Sequence, residues 1–212
     1  MYWIDLSHPM RSPLATFPGS PPAKIETIAT INENGYQEKR LYLNSHSGTH
    51  LDSPAHMLED GLSIDKLPVE KFTGKTVVVD ASAYPNCIPA KVIQSVNLED
   101  NLDFVLFHTG WSQNWNTESY FGDFPYLEEE AAAYLTGLNL KGVGFDTPSA
   151  DALHSTALKN HHLFFEAGMV ILENLTNLDK LVGQHFELFC FPLNIKNGDG
   201  SPVRAVALIR ES

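Results

Sequence analysis

Four short apolar runs in the second half of the chain constrain its fold more than any other feature. Each has the length of a strand, and the runs that are apolar throughout are typical of central strands covered on both faces. They are Thr76–Asp80, Asp103–His108, Lys141–Asp146 and Met169–Glu173. The sequence therefore predicts a sheet whose middle is buried.

Helical patterns separate these runs. Pro89–Val96 opens with proline in a favourable first-turn position, and residues 127–135 combine an acidic start with alanines. A third helix is predicted at Thr156–Glu166, before Gly168. The alternation of strand and helix indicates an α/β fold with a parallel or mixed central sheet.

The N-terminal third is rich in strands and loops, and it predicts a second β layer. Strands are expected at residues 3–7, 24–32 and 37–44, with Asn34-Gly35 as a hairpin turn between the last two. Two further strands are expected at residues 187–193 and 202–209. No repeat or linker interrupts the sequence, so residues 1–212 are expected to form one domain.

Charge and composition exclude several classes of partner. The formal net charge of −12 opposes binding to nucleic acid or to an anionic membrane. No run of about 18 apolar residues is present, and the N-terminus lacks the pattern of a signal peptide. Cys87 and Cys190 are isolated, which favours reduced thiols in a cytoplasmic protein.

One polar segment, Asn44–Met57, carries the pattern with the most chemical content. His46, His50, Asp52 and His56 all occupy even positions. In an extended chain these side chains point to one face, whereas in a helix Asp52 rotates away from the histidines. The spacing predicts half of a metal site.

This segment must bend to hold one ion. A straight strand would separate the Cα atoms of His46 and His50 by about 13 Å. Gly48 permits a bend between them, and Pro54 steers the exit of the chain beyond Asp52.

A second group of candidate ligands lies downstream, at His161-His162 and Glu173. Glu173 ends an apolar run, where a carboxylate is costly unless it is paired or bound to metal. A carboxylate such as Asp52 or Glu173 can bridge two cations, so these residues suffice for a two-metal site. Asp146, at the end of another strand, either orients a ligating histidine or caps the following turn.

Phe17, in a loop rich in proline and glycine, has two interpretations. Its side chain either packs into the core and so anchors the loop there, or it forms an aromatic wall of a substrate pocket.

The sequence lacks the motifs of other catalytic classes. No G-x-S-x-G elbow, P-loop or complete G-x-G-x-x-G fingerprint is present.

Together these motifs resemble the metal-dependent cyclase family, which includes bacterial kynurenine formamidases and isatin hydrolases. The resemblance spans nearly the whole chain. It rests on H-S-G-T-H-L-D-S-P-A-H at residues 46–56 and on I-D-L-S-H-P-M, F-P-G, T-G-K-T-V-V-V-D, H-T-G-W, G-F-D-T-P-S, I-L-E-N-L and G-S-P-V-R-A-V-A elsewhere. It implies a swivelling β/β/α domain, with helices on one face of the central sheet.

The resemblance also implies roles for individual residues. By it, His46 and His50 bind one ion, Asp52 is shared by two ions, and His161 and Glu173 complete the second site. His56 is the implied catalytic acid/base. Phe17 occupies the position of a substrate-contacting tryptophan in the formamidases, and His108 stands where relatives often have arginine.

The implied activity is hydrolysis of an amide C–N bond in a small aromatic substrate. N-formylkynurenine, yielding kynurenine and formate, is the first expectation, and isatin or another cyclic amide is the alternative. A non-catalytic metal-dependent binding protein and a polyketide-type cyclase stay open. The ligand set accepts zinc, the first expectation, as well as manganese or iron. Two divalent ions per subunit and a homodimer or homotetramer are expected.

Overall fold

The computed structural model describes residues 1–14, 16–96 and 101–210. Within these ranges the strands are β1 (Tyr2–Asp5), β2 (Lys24–Ala29), β3 (Glu38–Tyr42), β4 (His50–Asp52), β5 (Thr73–Asp80), β6 (Cys87–Ile88), β7 (Phe104–His108), β8 (Tyr126–Leu127), β9 (Gly142–Phe145), β10 (Val170–Glu173), β11 (His185–Phe189), β12 (Gly200–Pro202) and β13 (Val206–Ile209). The α-helices are α1 (Ile31–Asn34), α2 (Ala90–Gln94), α3 (Glu129–Thr136) and α4 (Lys159–Glu166). Short 3-10 helices span Pro54–His56, Ile64–Lys66, Val69–Phe72, Trp111–Asn114 and Leu178–Leu181. Among the helices of the described ranges, none is long and apolar enough to cross a membrane.

Nine strands form one mixed sheet in the order β1-β13-β11-β5-β7-β9-β10-β4-β12. Its centre, β5-β7-β9-β10, is parallel, and the strands on both sides of that centre pair antiparallel. The central strands are the four apolar runs of the sequence, and β9 and β10 are buried along their whole length. Burial on both faces is what their lack of alternation predicts. The expected α/β fold with a mixed sheet is confirmed.

The core has two halves because the sheet is covered on both faces. On one face, Val79, Val105 and Phe107 pack with the buried residues of α2, α3 and α4. On the other face, Val78 and Leu106 pack with β11 and β13 and with the 3-10 helices. Neighbouring residues of one strand serve opposite halves, as the two-residue period of a strand requires.

Two small sheets accompany the main one. The β2-β3 hairpin is the second β layer expected from the N-terminal third, although β1 and β4 of that third join the main sheet. The expected two-residue turn at Asn34-Gly35 is wrong in detail. One turn of helix, α1, lies between the strands, and Gly35 ends it with a φ of 79°. The left-handed cap uses the same glycine that suggested a hairpin turn.

The single strand expected at residues 202–209 is two strands. β12 pairs with β4 at one end of the main sheet, whereas β13 pairs with β11 and β1 at the other end. Only Val203–Ala205 link β12 to β13, a reach of at most about 14 Å. The sheet is therefore curled, and its two ends lie close together. This closure brings the loop before β12 against β4, where the candidate ligands lie.

Candidate metal centre and substrate pocket

The segment that carries the candidate histidines is bent as expected. Gly48 has a φ of 69°, in the region that favours glycine, and the chain then enters β4. Strict alternation of side chains holds only within β4, because Pro54 begins a 3-10 turn that contains His56. The expectation of one extended, kinked segment is thus corrected at its C-terminal end, where His56 lies in the 3-10 turn.

The first donor group consists of His46, His50 and Asp52. One nitrogen or oxygen of each lies within 4.8 Å of the others. Asp52 Oδ1 is 2.6 Å from His46 Nδ1 and 3.3 Å from His50 Nε2. The bend at Gly48 is what brings His46 back to the strand that holds the other two residues.

The second donor group consists of Asp52, His161 and Glu173, so Asp52 belongs to both groups. Antiparallel pairing of β10 with β4 places Glu173 opposite His50. His161, on α4, has its Nε2 3.3 Å from Glu173 Oε1, and His50 Nε2 is 3.4 Å from Glu173 Oε2. The group lies at the carboxyl end of β10, the end of a strand where α/β sheets bind ligands.

The residues present fit a pair of divalent ions. Asp52, His161 and Glu173 are each at least 95% buried, and so is His50. Within the described part of the chain, His50 Nε2 and Glu173 Oε1 are buried without a hydrogen-bond partner. Their separations of 3.3–3.4 Å from neighbouring donors match the spacing of about 3.3 Å between ligands of a tetrahedral zinc ion. A bound cation would satisfy these atoms.

The outward-facing nitrogens of the three histidines are all occupied by protein acceptors. His50 Nδ1 lies 2.8 Å from the carbonyl oxygen of Gly48. His161 Nδ1 lies 2.6 Å from Asp151 Oδ2, and His46 Nε2 lies 2.8 Å from Asp199 Oδ2. Such contacts fix the ring and the tautomer of a metal-binding histidine. They leave the opposite nitrogen of each ring facing the centre.

Asp151 and Asp199 are the site residues that sequence reasoning missed. Neither function expected for Asp146 is found as stated. Its carboxylate accepts hydrogen bonds from the backbone N–H groups of Thr109 and Gly110, so it caps the turn after β7 and not the turn that follows Asp146. The carboxylate that orients a candidate ligand is Asp151, ten residues before His161. Asp199 lies in N-G-D-G at residues 197–200, a composition typical of a turn, and nothing in that local pattern indicates a contact with the distant His46.

Opposite charges in the cluster shift one another's pKa values. Burial lowers the pKa of His46, but Asp52 and Asp199 outweigh burial and raise that pKa to about 9. Burial opposes ionisation of Asp52, yet the charges of His46 and His50 hold its pKa below the usual range. For His161, burial is outweighed by Asp151 and Glu173, and the pKa rises to about 10. The carboxylates create a negative field that favours a cation.

A cavity of about 290 Å³ opens beside the donor groups. Its apolar wall is formed by Phe17, Met57, Phe121, Pro148, Leu153 and Leu158. The ring of Phe17 meets that of Phe121 edge-on at 5.7 Å, and Phe17 stays 42% exposed. Phe17 is therefore placed in a pocket wall and not in the core, as the second of its two interpretations requires.

His56 lines the cavity beside the donor groups, which line it as well. Its ring centroid is 4.1 Å from that of His46 and 6.5 Å from that of His161. Burial, together with the nearby histidine charges, lowers the pKa of His56 despite Asp52 and Glu173. A histidine that favours its neutral form and lines the cavity is suited to accept and return a proton.

The fold and these donor groups define an α/β protein with a candidate two-metal centre beside an aromatic-lined pocket. A family model described as a putative cyclase matches residues 4–152, so the chain belongs to this cyclase family. A kynurenine formamidase of Bacillus cytotoxicus is 34% identical over 205 residues, which cover 96% of each protein.

Solved structures agree with this assignment. Isatin hydrolase A from Labrenzia aggregata, bound to benzyl benzoate, matches with a TM-score of 0.87 and 28% identity. The match covers 99% of this chain and 94% of that chain. A protein from Bacillus stearothermophilus, described as a predicted metal-dependent hydrolase, matches with a TM-score of 0.81 and 27% identity over 97% of each chain.

Proposed function

We propose that the protein is a metal-dependent amidohydrolase that converts N-formylkynurenine to kynurenine and formate. The observation that carries the proposal is the sharing of the buried Asp52 by two donor groups beside an aromatic-lined cavity. The likeness to a kynurenine formamidase over nearly the full length of both chains supports the choice of substrate.

Two divalent ions would occupy the donor groups. His46, His50 and Asp52 would hold the first, and Asp52, His161 and Glu173 the second. A bound ion of this kind lowers the pKa of a water molecule and polarises the carbonyl oxygen of the substrate. Histidine and carboxylate ligands suit zinc, the first expectation, and they also accept manganese or iron.

His56 is the proposed acid/base. It would accept the proton that the attacking water releases, and it would return that proton to the departing aryl nitrogen as the C–N bond breaks. Its place in the cavity wall, beside the ligand His46, suits both transfers. Phe17 and Phe121 would hold the aromatic ring of the substrate, since edge and face contacts of rings add to apolar burial.

The experiment is a direct assay of zinc-loaded protein with N-formylkynurenine and isatin side by side. We expect turnover of N-formylkynurenine and two zinc ions per chain by elemental analysis. His56→Ala should keep both ions and lose roughly 10²–10⁴-fold in kcat. His154→Ala is the matched control, because His154 is exposed. Full turnover by His56→Ala would show that His56 is not the acid/base of the reaction.

Isatin is the second candidate substrate, favoured by the structural likeness to isatin hydrolase A. A cyclic amide would be opened by the same groups, with its nitrogen kept in the product. Faster hydrolysis of isatin in the paired assay would select this alternative. Two bound ions without turnover of either substrate would indicate a metal-dependent binding protein instead.

We further expect a homodimer or homotetramer in the cytoplasm. The β2-β3 hairpin exposes Ile31, Leu41 and Tyr42, which supports contact with a second copy. The free cysteines Cys87 and Cys190 support a reducing compartment. Light scattering of the zinc-loaded protein tests the expected assembly.

A further inference from the structure

The side chain of Asp199 contacts three residues beside the candidate metal centre. Its Oδ2 lies 2.8 Å from His46 Nε2, 3.3 Å from Ser45 Oγ and 3.4 Å from His56 Nδ1. One oxygen thus faces a candidate ligand and the candidate acid/base at once. The side chain is 44% exposed, so its charge costs little to maintain.

The backbone of the loop is fixed, which gives this oxygen a defined place. The carbonyl oxygen of Asp199 accepts hydrogen bonds from the backbone N–H and the hydroxyl of Ser53. The backbone N–H of Asn197 donates to Asp65, and Gly200 pairs with Asp52. The carboxylate is therefore held against the histidines by contacts that do not involve them.

We propose that Asp199 is a positioning residue shared by two histidines, setting both the affinity of the first ion and the orientation of His56. The proposal rests on the proposed function only for the second of these effects. For His46, an N–H at Nε2 that donates to Asp199 leaves Nδ1 as the ligand atom, facing Asp52. For His56, Nδ1 lies 3.4 Å from the same oxygen, an ion-pair distance longer than that of a full hydrogen bond. The negative charge favours an N–H at Nδ1 and leaves Nε2 free for the proton of the substrate.

Burial favours a hydrogen bond over coordination by Asp199. His46, His56 and Asp199 do lie close enough to form a third donor group. However, all three residues of that group are partly exposed, whereas Asp52, which His46 Nδ1 faces at 2.6 Å, is buried and belongs to both other groups. The 2.8 Å between His46 Nε2 and Asp199 Oδ2 is an ordinary N–H···O distance.

The test compares Asp199→Ala and Asp199→Asn with wild type and with Asp65→Asn. Asp65 supports the same loop by accepting a hydrogen bond from the backbone N–H of Asn197. Its other partners are Ser63 and Lys66, not His46 or His56, so its variant reports the effect of the loop alone. Three quantities are measured: zinc affinity and stoichiometry by competition with a chelator, the tautomer of His56 by ¹⁵N NMR of zinc-loaded protein, and kcat and KM at saturating zinc.

We expect Asp199→Ala to bind its first zinc ion roughly 10–100-fold more weakly while still binding two ions at high zinc. Its His56 should lose its preference for the Nδ1–H tautomer, and kcat should stay at least about tenfold low with KM nearly unchanged. Asp199→Asn should lie between wild type and Asp199→Ala in affinity, because its amide oxygen still accepts from His46. Asp65→Asn should resemble wild type in all three.

Four outcomes would overturn the proposal. Unchanged zinc affinity removes the effect on His46, and an unchanged His56 tautomer removes the effect on His56. A third zinc ion in wild type that Asp199→Ala loses makes Asp199 a ligand. Equal losses in Asp65→Asn assign the effect to the loop. Because affinity and tautomer are measured without turnover, failure of the proposed reaction leaves both results decisive.

Discussion

At the scale of single residues, the three candidate ligand histidines differ in what holds their outward nitrogens. His50 contacts a neutral carbonyl oxygen, whereas His46 and His161 contact carboxylates. A carboxylate makes the opposite ring nitrogen a stronger donor to metal than a carbonyl does. Asp151 is almost completely buried and Asp199 is not, so the two carboxylates should differ in how much their loss costs.

Asp151→Asn tests the contact to His161. Asp151 also accepts hydrogen bonds from the backbone N–H groups of Asn160 and His161, at the start of α4. The variant keeps an oxygen acceptor but loses the charge, so we expect roughly 10–100-fold weaker binding of the second ion. Calorimetric titration with zinc measures this, with the exposed Asp123→Asn as control. Equal affinities in both variants would contradict the positioning of His161 by Asp151.

His8 should make the protein less stable in acid. Its ring stacks on Trp115 at 4.3 Å, and burial lowers its pKa to about 4 although Asp146 opposes this. The unfolded chain, with a histidine pKa near 6.5, therefore takes up the proton first as pH falls. The contribution of neutral His8 to the free energy of unfolding is complete above about pH 6.5 and is lost between that pH and about pH 4.

The expected size of this loss is on the order of 1 kcal/mol between pH 7.5 and 4.5, because solvent screens part of the effect. Urea unfolding of chelated protein at the two pH values measures it. In His8→Gln the difference between the two pH values should shrink, whereas in the exposed control His154→Gln it should persist. A difference that persists in His8→Gln would assign the acid sensitivity to other groups.

At the scale of elements, the parts that the sequence predicts well are those decided by local pattern. β5, β7, β9 and β10 follow from apolar runs, and α3 follows from helix propensity. Local sequence does not determine which strands pair with each other in the sheet. The division of residues 202–209 between opposite ends of the sheet depends on the pairing of β12 with β4 and of β13 with β1 and β11. These partners are too far apart in sequence for a local window to contain them.

The candidate site likewise combines features that a local pattern predicts with features that depend on distant parts of the chain. The spacing of His46, His50 and Asp52 is a local pattern, and so it was visible in the sequence. The placement of Glu173 opposite His50 depends on the register of β10 against β4. Asp199 contacts His46 from 153 residues away. Asp151 lies only ten residues before His161, but this contact depends on the loop between them folding back onto the start of α4. Neither contact is indicated by the local sequence pattern.

Gly200→Ala tests how closely β12 approaches the centre. A Cβ at Gly200 would lie 2.8 Å from His46 Cε1, closer than such atoms approach, so the ring must move. We expect roughly tenfold weaker binding of the first ion, because His46 would leave its contact with Asp199. Gly137→Ala is the matched control. There the nearest atom, Tyr134 O, is 3.4 Å away, and the change should be neutral or stabilising by up to about 1 kcal/mol.

Zinc titration of both glycine variants distinguishes the steric effect from a general effect of the substitution. Equal zinc affinity in Gly200→Ala and wild type would mean that His46 can shift without leaving its place as a ligand. That result would also weaken the argument that the hydrogen bond from His46 to Asp199 sets affinity.

At the scale of the whole molecule, the candidate centre joins parts of the chain that are far apart in sequence. β4, β10 and α4 each supply ligands, and the loop before β12 supplies Asp199. Two divalent cations would also offset four of the twelve net negative charges. Bound metal should therefore stabilise the fold as a whole, because it binds the native arrangement and not the unfolded chain.

Removal of metal should lower the melting temperature. An ion present at 100 times its Kd stabilises the native state by about 2.7 kcal/mol. In a chain of this length that corresponds to about 5–11 °C. Differential scanning calorimetry of zinc-loaded and chelated protein measures the shift.

Zinc added back to chelated protein should restore the melting temperature, whereas magnesium should not, since magnesium prefers oxygen ligands and retains its water. Asp52→Asn should abolish most of the shift, because Asp52 belongs to both donor groups. Equal melting temperatures with zinc and with chelator would show that the buried cluster is held by its own ion pairs.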